Sequence, residues 1–343
     1  MKDLVSIIIV NWNGMKWLPD CFGSILKQDY KNYEIIFVDN ASSDHSVQWV
    51  KKQYPKTKII VNDKNLGFSH ANNIGWRYAS GEYVLFLNND TSVTKTFLTE
   101  LVSFLKKDVS LGGMQSKILL MDHPDTLDSV GAFLTPTGFL FHFGFGKKDV
   151  RKYDKDILLY TAKGACMLFR KSVLDKVTVD GNIFDPDYFA YFEETDLCHR
   201  IWLAGYSIGY NYRSVIYHKM GATSSTIRNA SIQYHSFKNR INSYIKNCDV
   251  AHLLSILPLH IVFCEVFAVA SIALGRFDLT YAIEKAILWN VVNISKTLRK
   301  RRIIQKSIRT RPDSAFWQNI FRKPRLVYYW YLFKGSSDYE ESV

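Results

Sequence analysis

Polar clusters that contain carboxylate and amide side chains follow four short apolar runs in the N-terminal part of the chain. The clusters occupy residues 11–14, 39–44, 62–67 and 88–91. Oxygen atoms of such side chains are the ligands that Mg²⁺ and Mn²⁺ prefer in proteins. Neither GxGxxG nor GxxxxGKS/T occurs, which disfavours dinucleotide-dependent redox chemistry and P-loop phosphoryl transfer. The sequence therefore predicts a nucleotide site that is built from side chains.

A second acidic cluster consists of Glu193, Glu194 and Asp196. Apolar residues recur at helical spacing from this cluster to Ala204, which predicts a helix over 193–204 with the acids in its first turn. The helix dipole favours negative charge there, so the acids can serve the helix alone. Crowded carboxylates also raise one another's pKa, and a raised pKa suits a general base at neutral pH. Both interpretations stay open at this point.

The apolar runs that precede the polar clusters are separated by segments of helical length. Continuous apolar strands between helices are typical of a parallel sheet with helices on both faces, so the predicted fold class is α/β. Ligands of such sheets bind beyond the carboxyl ends of the strands, where the polar clusters lie. The stretch 121–160 predicts loops and short strands over the site. The predicted strands are 4–10, 35–38, 58–61, 83–87 and 165–169.

Positive charge is concentrated near the C-terminus. The 343 residues carry a net charge of +12, and residues 275–334 contain fourteen Lys or Arg against three acids. We therefore expect an anionic partner for this segment. The five cysteines lack CxxC spacing, which disfavours a zinc site and a disulfide framework and is typical of a reducing cytoplasm. The first residues do not resemble a signal peptide, so we expect an intracellular protein.

Residues 251–274 form a long apolar segment that contains eighteen apolar residues in twenty-four. Its length is sufficient for a membrane helix, but Pro258 and Glu265 are costly in lipid. Three interpretations remain: a membrane span, an interfacial or re-entrant helix, and a helix buried in the protein core.

Six motifs in order resemble the inverting family 2 glycosyltransferases, and most closely their rhamnosyltransferase and galactofuranosyltransferase branch. The resemblance covers roughly residues 4–245 and implies a GT-A fold, a nucleotide-sugar donor and a divalent cation. The motifs are VSIIIVNWNG at 5–14, VDNASSD at 38–44, NLGFSHANNIG at 65–75, GEYVLFLNNDT at 81–91, FDPDYFAYFEETDLCHR at 184–200 and VIYHKMGATS at 215–224.

The resemblance implies that Asp39 accepts a hydrogen bond from the donor nucleoside. The sequence 39–44 is also good turn chemistry, so Asp39 can instead close a turn or cap a helix. Asp90 likewise has an alternative as the N-cap of a helix that begins near Lys95. The other donor-binding residues that the resemblance implies are Asn11, Asn13, Asn65, Asn72, Asn88 and Asp90.

The resemblance assigns the catalytic base to Glu194, with Asp196 as the second choice. It makes Asp90 and His218 the ligands of Mn²⁺ or Mg²⁺, although the sequence NND at 88–90 has one acid where relatives carry a DxD-like motif. His218 can also be an ordinary polar residue after a strand. Lys163 resembles part of the acceptor side of the family site, without an individual role. Arg200 lies on the helix of Glu194 and can pair with its acids.

These observations predict a GT-A catalytic domain at 1–245, a basic and aromatic helical membrane-associating region at 246–334 and an acidic tail at 335–343. The expected reaction transfers a sugar from dTDP-rhamnose, or from a UDP-sugar as second choice, to a glycan or lipid-linked glycan. The expected location is the inner face of the cell membrane, on an anionic surface. Alternatives are a non-catalytic membrane scaffold and a polyanion-binding protein that uses residues 296–311; nucleic acid is not expected as a partner.

Overall fold

The structure, a computed structural model, describes residues 2–221 and 229–334. The predicted acidic tail at 335–343 and the last residues of the motif at 215–224 lie outside this part of the chain. The strands are β1 (Val5–Asn11), β2 (Tyr33–Asp39), β3 (Lys58–Val61), β4 (Tyr83–Leu87), β5 (Thr91–Val93), β6 (Leu111–Leu120), β7 (Leu127–Ser129), β8 (Gly131–Leu134), β9 (Leu140–Phe143), β10 (Ile157–Leu159), β11 (Cys166–Arg170) and β12 (Ser207–His218).

Helices cover both faces of the sheet and form the C-terminal region. A π-helical turn at Ile304–Ile308 follows α10. The helices are α1 (Leu18–Leu26), α2 (Ser46–Gln53), α3 (Gly67–Arg77), α4 (Phe97–Lys107), α5 (Lys171–Lys176), α6 (Glu193–Leu203), α7 (Asn229–Asn247), α8 (Val250–Ala273), α9 (Phe277–Val292), α10 (Ile294–Ile303), α11 (Trp317–Ile320) and α12 (Leu326–Lys334).

The main sheet is mixed, with a parallel half that contains the N-terminal strands. Its order is β10-β12-β6-β11-β4-β1-β2-β3, and β5 and β7 pair with β12 and β6. Strands β3, β2, β1 and β4 are parallel, whereas β11 is antiparallel to β4 and β6. Each predicted strand is confirmed within two residues at its ends. The loops and short strands expected at 121–160 are confirmed as β7 to β10 with their connections.

Apolar residues of β1 explain why the strand has no polar alternation. Ile7 and Ile9 belong to a core beneath α1 and α4, whereas Ile8 belongs to the core on the opposite face, together with α6 and the C-terminal segments. Both faces are therefore dry, and every position of the strand favours an apolar side chain. All five cysteines are buried and unpaired, as the absence of CxxC spacing predicted.

The helical region is attached to the α/β domain by buried ion pairs. Asp185 accepts from Lys246 of α7 and Lys300 of α10, each at 2.5 Å. Lys296 and Lys300 also pair with Asp187. These contacts involve cations that we expected to face an anionic partner. Among the described residues, at least seven of these cations bind carboxylates or backbone carbonyls within the protein: Lys296, Arg299, Lys300, Arg301, Arg309, Arg311 and Arg322.

Helix α8 lies along the protein with one side packed and the other exposed. It is the one described helix that is long and apolar enough to cross a membrane, with a mean hydropathy of 2.2. Ile256, His260, Cys264 and Ala268 are buried at four-residue spacing. His260 Nδ1 lies 2.8 Å from the Thr137 carbonyl, which explains a histidine in an apolar helix. The buried positions place one side of α8 against the protein, and the three interpretations of this segment stay open.

Candidate active site

The ends of β1, β2 and β4 bring three polar side chains into one buried network. Asn11 and Asp39 are the last residues of their strands and are paired in register. Asn11 Nδ2 donates to Asp39 Oδ1 at 3.0 Å, and Asn89 Nδ2 donates to Asn11 Oδ1 at 2.7 Å. A Cβ at Gly14 would lie 2.1 Å from Asn89 Nδ2, so glycine is needed for this close approach. The parallel strand ends thus meet as the sequence predicted.

Asp39 is held in a turn rather than a helix cap. Its Oδ2 accepts from the backbone of Ser42 at 2.8 Å, whereas α2 begins later, at Ser46. The turn interpretation and the donor-binding interpretation are compatible, because the turn fixes the carboxylate at the edge of the sheet. Asn13 is exposed, has a φ of 50° and accepts from the backbone of Ser43 at 2.8 Å.

The remaining predicted donor residues lie on the same side of the sheet in different settings. Asn65 Oδ1 accepts from Gly67 N at 2.9 Å and shapes the turn into α3. Asn72 is buried in α3 and donates to the Phe68 carbonyl at 3.0 Å. Asn88 is half-buried directly after β4. Their roles toward a donor stay predictions, because the contacts that the structure shows for Asn65 and Asn72 are structural.

Asp90 and His218 lie together, as a shared metal requires. Asp90 Oδ1 is 3.4 Å from His218 Nε2 and has no hydrogen-bond partner among the described residues, although it is buried. His218 Nδ1 lies 2.6 Å from Asp128 Oδ2. An imidazole whose second nitrogen is held by a carboxylate is the usual arrangement of a metal-ligating histidine. The free carboxylate oxygen and the oriented imidazole therefore fit a divalent cation.

The charges around His218 favour its protonated form when a metal is absent. Burial alone would lower the pKa of His218, but its hydrogen bond to Asp128 and the nearby carboxylate of Asp90 raise it overall. The alternative role of Asp90 as a helix cap is wrong: α4 begins at Phe97, and its N-cap residue is Thr96.

Glu194 lies in the first turn of α6 and has an unsatisfied carboxylate oxygen. Neither its Oε2 nor Glu193 Oε2 has a hydrogen-bond partner in the described structure. Burial raises the pKa of Glu194 to about 7, against a smaller opposing effect of the Lys163 charge. The pKa of Glu193 is raised further by burial and by Glu194. Burial, rather than the crowding of acids that the sequence suggested, is thus the main cause.

The turn that precedes α6 is strained and is fixed by α7. Tyr191 and Phe192 both have a φ of 70°, in the left-handed region that β-carbons disfavour. Asn239 of α7 holds this turn, since its Nδ2 donates to the carbonyls of Ala190 and Tyr191 at 3.0 and 2.6 Å. Strain of this kind persists where surrounding contacts enforce it, and it is common at functional sites. The position of Glu194 therefore depends on a helix outside the α/β core.

Asp196 is fully engaged in a buried ion network. Its Oδ2 accepts from Arg200 Nη2 at 3.1 Å, and its Oδ1 lies 3.1 Å from Lys246 Nζ and accepts from Asn247 at 2.9 Å. Burial alone would raise the pKa of Asp196, but the charges of Lys246 and Arg200 lower it overall. Both oxygens are thus occupied, which leaves Glu194 as the better candidate for the base. The expected pairing of Arg200 with an acid of its own helix is confirmed.

We expect Asp196→Asn to destabilise the fold and to leave the catalytic rate of the folded protein nearly unchanged. Loss of one partner from a buried ion pair costs about 3 kcal/mol, while the kcat of the folded fraction should stay close to wild type. A lowered pKa stabilises the fold above the usual aspartate pKa, and this contribution is lost as the pH falls. Urea denaturation at pH 7 should therefore give a lower free energy of unfolding for the variant than for wild type. This difference in free energy should narrow below about pH 4. A large loss of kcat at unchanged stability would contradict this assignment.

Two residues of the site were not predicted individually. Asp128 orients His218, and Lys163 Nζ lies 2.5 Å from Asp128 Oδ1 while its charge also acts on Glu194. Lys163 therefore pairs with Asp128 beside the proposed metal ligands, and its positive charge opposes the rise in the pKa of Glu194 that burial causes. No local pattern marks Asp128, because it is a lone acid in the three-residue strand β7. Its role follows from pairing of β6 and β12 across the sheet, which a single sequence does not show.

Comparison with known proteins identifies the family of the chain. The profile of Glycosyl transferase family 2 matches residues 6–178, just over half of the chain. The low-salt glycan biosynthesis hexosyltransferase Agl10 of Haloferax volcanii is 26% identical over 70% of this chain and 75% of its own length. Glycosyltransferase GlyG of Streptococcus pneumoniae is 30% identical over 33% of this chain. The match spans 39% of the length of GlyG and 36% of an uncharacterized Haemophilus influenzae glycosyltransferase.

Solved structures show the same fold at low sequence identity. A mannosyltransferase from Pyrobaculum calidifontis in complex with GDP-Man and Mn²⁺ matches with a TM-score of 0.53 and 15% identity, over 92% of this chain and 86% of its own. Residues 1–349 of S. aureus TarS in complex with UDP match with a TM-score of 0.53 and 17% identity, over 88% and 90%. These likenesses establish a GT-A fold. With the profile match, they show that the chain is a member of Glycosyl transferase family 2.

Proposed function

We propose that the chain is an inverting, metal-dependent glycosyltransferase for a nucleotide-diphosphate sugar. The expected donor is dTDP-rhamnose, followed by UDP-sugars, and the expected acceptor is a hydroxyl of a glycan or lipid-linked glycan in cell-surface polysaccharide synthesis. The observation that carries the proposal is the buried pair of Asp90 and His218, in which Asp90 Oδ1 lies 3.4 Å from His218 Nε2 without a hydrogen-bond partner among the described residues. Family membership and relatives whose structures contain UDP or GDP-Man support it.

In the proposed mechanism, each group acts at a defined atom. Asp90 and His218 would hold a divalent cation, which when bound supplies positive charge to the departing diphosphate. Glu194 accepts the proton of the acceptor hydroxyl as that oxygen bonds to the anomeric carbon. The bond from this carbon to the diphosphate breaks in the same in-line displacement, so the configuration inverts. Asp128 holds the imidazole, and Lys163 pairs with the other oxygen of Asp128.

A thermal-shift screen tests the donor assignment. A ligand that binds only the folded state raises the unfolding midpoint. We expect the largest rise with a dTDP- or UDP-linked sugar in the presence of Mn²⁺, and transfer to a glycan acceptor with inverted anomeric configuration by NMR. If no nucleotide sugar shifts the midpoint with or without metal, the chain is better explained as a non-catalytic member of the fold.

We further propose that the chain acts while it is attached to the membrane surface. Helix α8 presents Leu254, Val262 and Val269 to solvent at exposed fractions of 68%, 55% and 63%. Helix α9 adds Tyr281 and Leu288, which are exposed to 68% and 60%. Exposed apolar area of this extent on adjacent helices is typical of an interaction site. Exposed cations of the C-terminal segment include Arg276 and Lys285, which precede and lie on α9, and Arg302, Lys306 and Lys323 further along the chain.

We expect Leu254→Glu with Val262→Glu to reduce sedimentation with anionic phosphatidylglycerol vesicles several-fold, because these side chains would insert into lipid. Wild type should release partly at high salt, which screens charge but not apolar insertion. Val109→Glu is a matched control, since Val109 is 78% exposed in the loop before β6. The full chain is used because removal of the helices would take Lys300 from Asp185. Equal sedimentation of the double variant would contradict membrane attachment.

A further inference from the structure

Arg240 of α7 is a buried guanidinium without a carboxylate partner. The residue is 9% exposed, and its Nε has no hydrogen-bond partner in the described part of the chain. Its one side-chain hydrogen bond there is from Nη2 to Ser236 Oγ, at 3.3 Å. No ion pair joins Arg240 to an acid among residues 2–221 and 229–334. Burial of an unpaired charge is costly, so this side chain needs an explanation beyond packing.

The contrast with Arg200 shows that this fold can satisfy a buried arginine. Arg200 pairs with Asp196 and donates to two backbone carbonyls. Arg240 instead lies among aromatic rings, with its guanidinium carbon 4.7 Å from the centre of Phe139 and 5.2 Å from that of Phe192. Ring faces attract the cation but leave most of its N–H groups without an acceptor. The guanidinium is therefore preorganised for an anion that residues 2–221 and 229–334 do not supply.

Arg240 lies between the proposed base and the apolar helices. Phe192 immediately precedes α6, two residues before Glu194. On the other side, Phe139 packs into a small apolar core with residues of α8 and α9. His142 lies three residues after Phe139, on β9, and is exposed. The residues of the small core are Phe139, Phe237, Cys264, Ala268, Ile283 and Ala286.

We propose that Arg240 binds the phosphate group of an acceptor whose apolar chain lies on α8 and α9. This inference rests on the proposed function and specifies its acceptor as lipid-linked. A phosphate offers several oxygens to the planar fork of a guanidinium, and each charge-assisted bond is stronger without competing water. Asp128 and Lys163 lie beside the metal ligands, whereas Arg240 lies beside the helices. The donor diphosphate is therefore assigned to the side of Asp90 and His218, as in the proposed function, and the acceptor phosphate to Arg240.

Titration calorimetry with three probes tests this assignment. Farnesyl diphosphate carries both an apolar chain and phosphate, farnesol carries the chain alone, and inorganic diphosphate carries the charge alone. We expect Arg240→Gln to weaken farnesyl diphosphate about 10- to 100-fold and to leave farnesol unchanged. Arg240→Lys should be intermediate, because it keeps the charge without the fork. Arg213→Gln is the matched control, since Arg213 is half exposed and lies 3.5 Å from Asp156.

Thermal unfolding separates a ligand-binding arginine from a structural one. Arg240→Met removes an unpaired buried charge at similar volume, so its midpoint should rise by about 2 to 4 °C while farnesyl diphosphate binding is lost. A fall in the midpoint would make Arg240 structural and overturn the proposal. The proposal would also be overturned if Arg240→Gln bound farnesyl diphosphate with wild-type affinity. It would be overturned as well if inorganic diphosphate bound as tightly as farnesyl diphosphate and was displaced by UDP. These measurements need no sugar transfer, so they fail independently of the proposed reaction.

Discussion

Glu194→Gln should lower kcat by about 10² to 10⁴, with little change in donor affinity. The amide keeps the shape of the side chain but cannot accept the proton of the acceptor hydroxyl. Steady-state transfer with a donor that passes the thermal-shift screen, together with calorimetric donor binding, measures both quantities. Asp196→Asn is the control, because Asp196 is an acid of the same helical turn whose oxygens are bonded to Lys246, Asn247 and Arg200.

The pH dependence of the wild-type enzyme gives an independent check on Glu194. A general base acts in its deprotonated form, and burial raises the pKa of Glu194 to about 7. The value of kcat/KM should therefore rise with pH up to about 7 and then level, and it should fall about tenfold per unit below that. Glu194→Gln should lack this inflection. If Glu194→Gln retains more than about a tenth of wild-type kcat, Glu194 is not the base, and Glu193 becomes the next candidate.

Removal of divalent metal should abolish transfer, and Mn²⁺ or Mg²⁺ should restore it. Asp90→Ala and His218→Ala should each weaken Mn²⁺-dependent UDP binding at least about tenfold, because each removes one of two protein ligands. Calorimetry of UDP with and without Mn²⁺ measures this effect without turnover. Asp125→Ala is the control, since Asp125 is 70% exposed and outside the proposed site. Full activity in excess chelator would assign Asp90 and His218 a structural role.

The strands and the meeting of their polar ends were predictable from local sequence. A dry strand such as β1 needs apolar residues on both faces, and its last residue, Asn11, starts a turn, so both features are visible in one short segment. The pairing of Asp90 with His218 came from the family resemblance rather than from spacing. The structure places them 3.4 Å apart, although 128 residues separate them in the chain.

The sequence did not predict the long-range ion pairs, because a count of charges does not show which residues meet in the fold. The charge pattern predicts that the cations of 296–311 bind an anionic partner. In the structure, Lys296, Arg299 and Lys300 instead pair with acids of 180–187. A single sequence lists these charges on separate segments and does not pair them. Asp196 was a candidate base for the same reason, since its partner Lys246 lies fifty residues away. Burial, which decides the pKa of Glu194, is likewise a property of the folded chain.

The ion pairs between residues 180–187 and helices α7 and α10 limit which segments of this protein can be replaced by those of its relatives. A chimera that takes the C-terminal helices from another member would lose Lys246 and Lys300. Asp185 and Asp187 would then be left without their cations unless the new helices supplied matching ones. The same helices carry Asn239, which fixes the turn before the base. Recombination should therefore preserve the fold and the turn before Glu194 only when 180–200 and 229–303 are inherited together, so the two segments form a single unit of exchange.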